Sequence, residues 1–275
     1  MGNRAASSLS GKSFLSHTAE RLCGAKQLHS SNCSSLTRCE TAMPRIPIIE
    51  DLIEGAVPPG TNILVEYDPA SQWYNASITM AAGWLRSGGK VAYNAAAQSP
   101  DKVRSQLKRH GIDAGEFEKN ERLTIIDFYT TTLGQKSKEK QAVYSLKVAD
   151  MSIFVAKNVM QGPPEPDVLR LTDDHSVLSR FNDEKVWVEF LLTRSVPSVT
   201  MTSQIGVRAV MKNVHSDWVY KKLEGAHDGI LEFKLEEVGN TSKDLLRIKT
   251  MRNAIFDREW HELKIRENFE VAVGK

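Results

Sequence analysis

The chain has 275 residues, 41% of them hydrophobic and 25% charged, an ordinary globular composition with enough apolar material for one substantial core. Lys and Arg number 36 against 34 Asp and Glu, a net charge of +2, so no large uniform field gathers nucleic acid or anionic membrane and any polyanion site must be local. No run approaches the 18 or so uninterrupted apolar residues of a membrane-spanning helix, and the chain reads as a cytoplasmic protein.

Residues 1 to 43 stand apart. They hold nine serines, five basic residues (Arg4, Lys12, Arg21, Lys26, Arg38) and only Glu20 and Glu40 on the acidic side, a composition that builds no core. The segment reads as a disordered extension or as a stretch upstream of a translation start at Met43, and an organelle transit peptide is the third reading. The chain's three cysteines, Cys23, Cys33 and Cys39, all lie there with His17 and His29. Their spacing is not that of paired Cys-x-x-Cys ligands, and a body without cysteine needs no oxidising compartment. Residues 44 to 275 form the folded domain.

From Asn62 onward short apolar runs alternate with amphipathic stretches, the rhythm of βαβ units and a mainly parallel sheet. Ile63, Leu64 and Val65 make the first strand. Ile78, Ala81, Ala82 and Leu85 place a stripe on a helix over residues 74 to 87 that stops at Gly88-Gly89. A strand over residues 90 to 93 follows, and Ser99-Pro100 then opens a helix running to His110-Gly111. Residues 123 to 128 form a third strand, and 130 to 140 a lysine-rich loop before a helix ending near Met160. The pattern continues with a strand over 168 to 172, a helix from Ser176 to Arg194 and a strand over 198 to 202. Three closing strands, around 229 to 236, 245 to 251 and 261 to 265, leave no room for helices between them and form an antiparallel extension on one edge.

The turn between the first strand and the first helix is where phosphate-binding proteins place Gly-x-x-x-x-Gly-Lys-[Ser/Thr]. There the glycines turn backbone amides inward, the lysine neutralises the terminal phosphates, and the hydroxyl binds Mg²⁺. This chain reads Tyr67-Asp68-Pro69-Ala70-Ser71-Gln72-Trp73-Tyr74. Upstream stand Leu52-Ile53-Glu54-Gly55-Ala56-Val57-Pro58-Pro59-Gly60 and Ile63-Leu64-Val65-Glu66. Over the whole stretch from Ile46 the chain resembles KaiC-like members of the RecA/RadA superfamily. The resemblance implies a RecA-like α/β fold with helices on both faces of a mainly parallel sheet.

It also implies where an ATP site would lie. Pro69 and Ser71 match the family's loop, while Tyr67, Ala70 and Gln72 stand at glycine positions, Trp73 at the lysine and Tyr74 at the Mg²⁺-binding hydroxyl. If the loop kept the phosphate-cradling turn, each non-glycine residue held at positive φ would cost roughly 1 to 2 kcal/mol. The family's paired glutamates before Ser-Pro correspond to Ala97 and Gln98, neither of which accepts a proton from water. Asp173, ending the strand Leu169-Arg170-Leu171-Thr172, matches the acid that supports Mg²⁺, although a strand-end aspartate that caps the next helix through Asp174 or Ser176 reads equally well. Arg252 matches the arginine of a Lys-x-Arg strand motif that reaches a neighbouring subunit, with Thr250 in place of the lysine.

Other features admit plainer readings. His175 beside two aspartates is a poor metal site, because three consecutive side chains rarely converge on one ion. Lys102, Arg104, Lys108, Arg109 and His110 make a basic helix face that reads as solvated surface or as a nucleic-acid contact. Trp73 and Tyr74 either anchor an interface or plug the emptied pocket. The expectation is a catalytically inactive KaiC-like paralogue without a cofactor, acting as a regulatory or interaction module that assembles with itself or with an active KaiC-like protein. A divergent ATP- and Mg-binding ATPase or kinase is the alternative, and a RadA-like recombination accessory protein the third.

Overall fold

The computed structural model describes residues 43 to 274. The readings made for residues 1 to 42, with their cysteines, lie outside the described residues. The first strand forms where the apolar run predicts it, β1 over Asn62–Tyr67, and the helix behind it is α1 over Trp73–Arg86. There follow β2 (Lys90–Ala95), α2 (Pro100–Arg109), α3 (Ala114–Lys119), β3 (Leu123–Asp127), α4 (Tyr129–Thr132), β4 (Gln141–Ala142), α5 (Val148–Asn158) and β5 (Val168–Thr172). Ser99 caps α2 by accepting from the Lys102 amide, as its Ser-Pro start predicts.

Two expectations beyond β5 are corrected. The helix expected over residues 176 to 194 is broken: α6 covers Ser176–Ser179, and α7 begins at Glu184 after Asp183 caps it. From α7 (Glu184–Phe190) the chain runs through a π-helical turn, Leu191–Ser195, into α8, Val196–Met201. The strand expected over residues 198 to 202 is therefore helix. β-branched Val199 and Thr200 suggested a strand, but packing overrides propensity in so short a piece. Pro197 sits inside this continuous helix, where it cannot donate to an earlier carbonyl, and the wider π turn before it relieves the clash.

The strands that sequence missed are the short β4, the last strand over Val271–Val273 and, in the centre of the sheet, β6, Ile205–Met211. Gly206 and Arg208 interrupt its apolar run. A Cβ on Gly206 would lie 2.9 Å from Val199 Cγ2, so α8 packs directly on the strand backbone. α9 (Asp217–Ala226), β7 (Gly229–Val238), β8 (Thr241–Met251), β9 (His261–Ile265) and β10 (Val271–Val273) complete the chain.

The ten strands lie in the order β10-β9-β8-β7-β1-β6-β5-β2-β3-β4. Pairing is parallel from β7 through β4 and antiparallel from β7 to β10, which is the expected parallel core with an antiparallel extension. Strand alternation sorts side chains between two cores. Ile63, Val65, Tyr67, Leu169 and Leu171 join α1 in the larger core, whereas Leu64 and Val210 face a second one with Trp187, Phe190 and Leu223 from α7 and α9. Open α/β sheets bind ligands beyond the carboxyl ends of their parallel strands, which directs attention to the ends of β1, β2 and β5.

Candidate functional site

Three segments meet at those ends: the β1–α1 turn, the β2–α2 turn and Asp173-Asp174-His175 after β5. In the first, Asp68 donates its amide to the Phe233 carbonyl and Ser71 donates its amide to the Asp68 carbonyl, at 3.0 and 2.9 Å. Among the described residues, none from Tyr67 to Tyr74 has a positive φ, so the turn carries no strain of the kind a glycine-cradled loop would impose here. Gln72 precedes α1 without capping it through its side chain, and no acid lies in the first turn of the helix. The turn thus offers a helix start that no side chain caps but not a glycine cradle, and its side chains decide what it does.

Trp73 is fully buried, and its indole N–H donates to the Asp173 carbonyl at 2.6 Å. Its ring meets Phe233 edge-on at 5.5 Å and Tyr67 at 6.2 Å. Tyr67 meets Tyr74 edge-on at 5.7 Å, and their hydroxyls lie 3.0 Å apart. Such ring pairs contribute about 0.5 to 1.5 kcal/mol each beyond simple burial. Trp73 is consequently a core side chain with no exposed surface to anchor an interface; Tyr74, only partly buried, packs onto the same core. Pro69 and Ala70 are exposed, and the Ser71 hydroxyl turns back to the Asp68 carbonyl at 2.7 Å.

Asp173 is also turned inward. Its Oδ1 accepts from the amides of Ala96 and Ala97 at 2.8 and 3.1 Å, and its Oδ2 from the Gln98 amide at 3.2 Å. The acid that the resemblance assigns to Mg²⁺ support thus holds the very turn that would have carried the paired glutamates. Asp174, and not Asp173, meets the next helix, accepting from the Ser176 amide at 2.7 Å. The buried side-chain carboxamide of Gln98 has no hydrogen-bond partner among the described residues.

Burial pushes the Asp173 carboxyl up to about 7 against the pull of its three amide donors, with Asp174 adding to the rise. Burial likewise pushes Asp174 up to about 6, opposed by Ser176 and by the Tyr67 hydroxyl. His175 goes the other way, down to about 3, because it is buried and lies near Arg208 and His227. His227 is also pushed down to about 3 by burial and Arg208.

These shifts have opposite consequences for stability. The raised aspartates contribute stability that is fully present below about pH 4 and lost as pH climbs through their folded values; the lowered histidines contribute stability present above about pH 6.5 and lost as pH falls. The two effects offset each other in between. Asp174→Asn removes one acid and unmasks the histidines. Relative to the parent, this variant should gain stability as pH rises from about 4 to 6, by up to about 1.4 kcal/mol per pH unit, in urea unfolding followed at several pH values. An identical pH dependence in the two proteins would contradict the buried-acid assignment.

The remaining candidates are dispersed. Arg252 follows β8, is exposed, and donates to the Gly225 carbonyl at 3.0 Å. On the basic face of α2, Lys102 and Lys108 are exposed, while the other three basic groups are engaged. Arg104 is paired with Glu118, Glu139 and Asp101, Arg109 lies over the Phe269 ring, and His110 is buried against Thr79. Among the described residues no helix is long and apolar enough to cross a membrane, and no cluster of His, Cys, Asp and Glu forms a metal site.

No family model matches the chain. A UPF0273 protein of Aeropyrum pernix is 24% identical over 221 residues, 80% of this chain and 88% of that protein. A solved KaiC-like protein of Pyrococcus horikoshii OT3 superposes with a TM-score of 0.66 at 17% identity, covering 85% of this chain and 98% of that one. The architecture is the RecA-type fold in its KaiC-like form, and at these identities the likeness speaks for the fold.

Proposed function

We propose that this chain is a catalytically inactive KaiC-like module that acts by protein contact. The observation that carries the reading is the Trp73 indole, buried with its N–H on the Asp173 carbonyl. At that place a Mg-triphosphate needs a cation within reach of its terminal phosphates. The residues present do not fit that ligand: a plug replaces the lysine, Tyr74 joins Tyr67, and the Asp173 carboxylate is turned to three backbone amides. Ala97 and Gln98 offer no carboxylate to a water nucleophile.

With no chemistry at the strand ends, the surface carries the function. Arg252 is exposed, and Ile255 three residues on is 68% exposed. We assign that face to assembly with a second copy or with an active KaiC-like protein. The test is phosphate release from ATP by the purified chain with Mg²⁺ or Mn²⁺. The reading expects no release above the rate without protein, whereas steady turnover that disappears in Asp173→Asn would overturn it.

A further inference from the structure

On the opposite face of the sheet from Trp73, a cavity of about 40 Å³ lies between the sheet and the wall made by α5, α7 and the π-helical turn. Phe128, Met151, Phe154, Val155, Leu178 and Phe190 form its apolar side. Asn94, Arg170, His175, Ser195 and Ser198 bring polar groups to it. Asn94 donates to Thr172 and the Ser198 hydroxyl to the Ser195 carbonyl, each at 2.8 Å. The Arg170 Nε donates to Gln204 at 2.9 Å.

His175 is different. It is 5% exposed, and neither of its ring nitrogens has a hydrogen-bond partner among the described residues. A buried donor left unmet costs about 1 to 3 kcal/mol, so the site is poised for an acceptor. The surrounding charge favours an anionic one. Arg208, 3% exposed, stands directly behind Ser195, donating to its carbonyl at 2.7 Å and to its hydroxyl at 3.3 Å. Its other partners are Asn62 and His227, so no carboxylate neutralises it. Charged and titratable groups around His175 are Arg170, Arg208 and His227, with Glu165 beyond Arg170 as the one acid. Asp173 and Asp174 are turned away, toward the β2–α2 turn and toward Tyr67 and Ser176. A buried cation without a counter-ion is costly, and an anion in its field offsets that cost. The π-helical turn beside the cavity adds to the case, since such turns recur at functional sites.

We propose that this cavity binds a small aliphatic monocarboxylate, its carboxylate accepting from His175 in the field of Arg208 and Arg170, its hydrocarbon part on Phe128, Met151 and Phe190. The volume is that of about three waters, the room of a carboxylate of roughly two to three carbons, with butyrate at or beyond the limit. The site lies on the opposite face of the sheet from the β1–α1 turn, and it stands whether or not ATP binds at that turn.

The test is calorimetric titration and thermal unfolding of the full chain with acetate, propionate and butyrate at matched ionic strength, against chloride and neutral propionamide. At least one carboxylate binds saturably and raises the melting temperature; chloride and propionamide do not. His175→Leu weakens that binding by at least about tenfold, and Val155→Phe, which narrows the cavity with His175 in place, weakens it similarly. Absence of saturable binding would mean that water alone fills the cavity and would overturn the proposal. Equal affinity for propionamide, or unchanged affinity in both variants, would overturn it as well.

Discussion

Trp73→Ala lowers the unfolding free energy by about 4 kcal/mol, because a fully buried indole is removed and the space cannot close around it. For a domain of this size that is a fall in melting temperature of about 10 °C. The loss combines three contributions from the geometry: burial of the ring, its edge-on contact with Phe233, and the hydrogen bond to the Asp173 carbonyl. Trp73→Lys, which writes the family's lysine back into the loop, is expected to be at least as destabilising, since an ammonium would replace an indole packed against Tyr67 and Phe233 and would lose its ring contacts and apolar burial. If position 73 instead kept a solvated pocket open for phosphate, either substitution would leave the melting temperature nearly unchanged.

Asp173→Ala is the second large effect. It strips the acceptor from three amides, Ala96, Ala97 and Gln98. At about 1 to 3 kcal/mol for each buried donor left unmet, and with some relief from water entering, the loss is about 3 to 5 kcal/mol. Asp173→Asn keeps one acceptor oxygen but presents an NH₂ to the Gln98 amide, so its loss is smaller, about 2 kcal/mol. Chemical denaturation measures both. An acid reserved for a metal would behave otherwise: its removal relieves a buried charge and leaves the protein as stable or more so.

Particular residues explain how far the sequence could be read. The β1–α1 unit is plain because an all-apolar run meets a helical stripe within a few residues, and the three closing strands because no helix fits between them. β6 escaped because Gly206 and Arg208 break its pattern for tertiary reasons: the glycine admits α8, and the arginine serves a polar seam with Asn62 and Ser195. The π turn and Pro197 hid the continuity of α7 with α8. At the site, residue identities located Trp73, Tyr74 and Asp173 at the strand ends, yet only the fold determines which way each side chain turns. His175 looked like a weak metal ligand beside two aspartates. Those neighbours in sequence point elsewhere, and its neighbours in space are Arg208 and His227. No local pattern encodes that arrangement.

The central claim is that an aromatic plug has replaced the phosphate cradle, and calorimetric titration of the full chain with Mg-ATP tests it most directly. The account predicts no saturable heat up to about 1 mM nucleotide, equivalent to less than about 4 kcal/mol of binding free energy. A one-site isotherm in the micromolar range that weakens when Trp73 or Asp173 is substituted would contradict it.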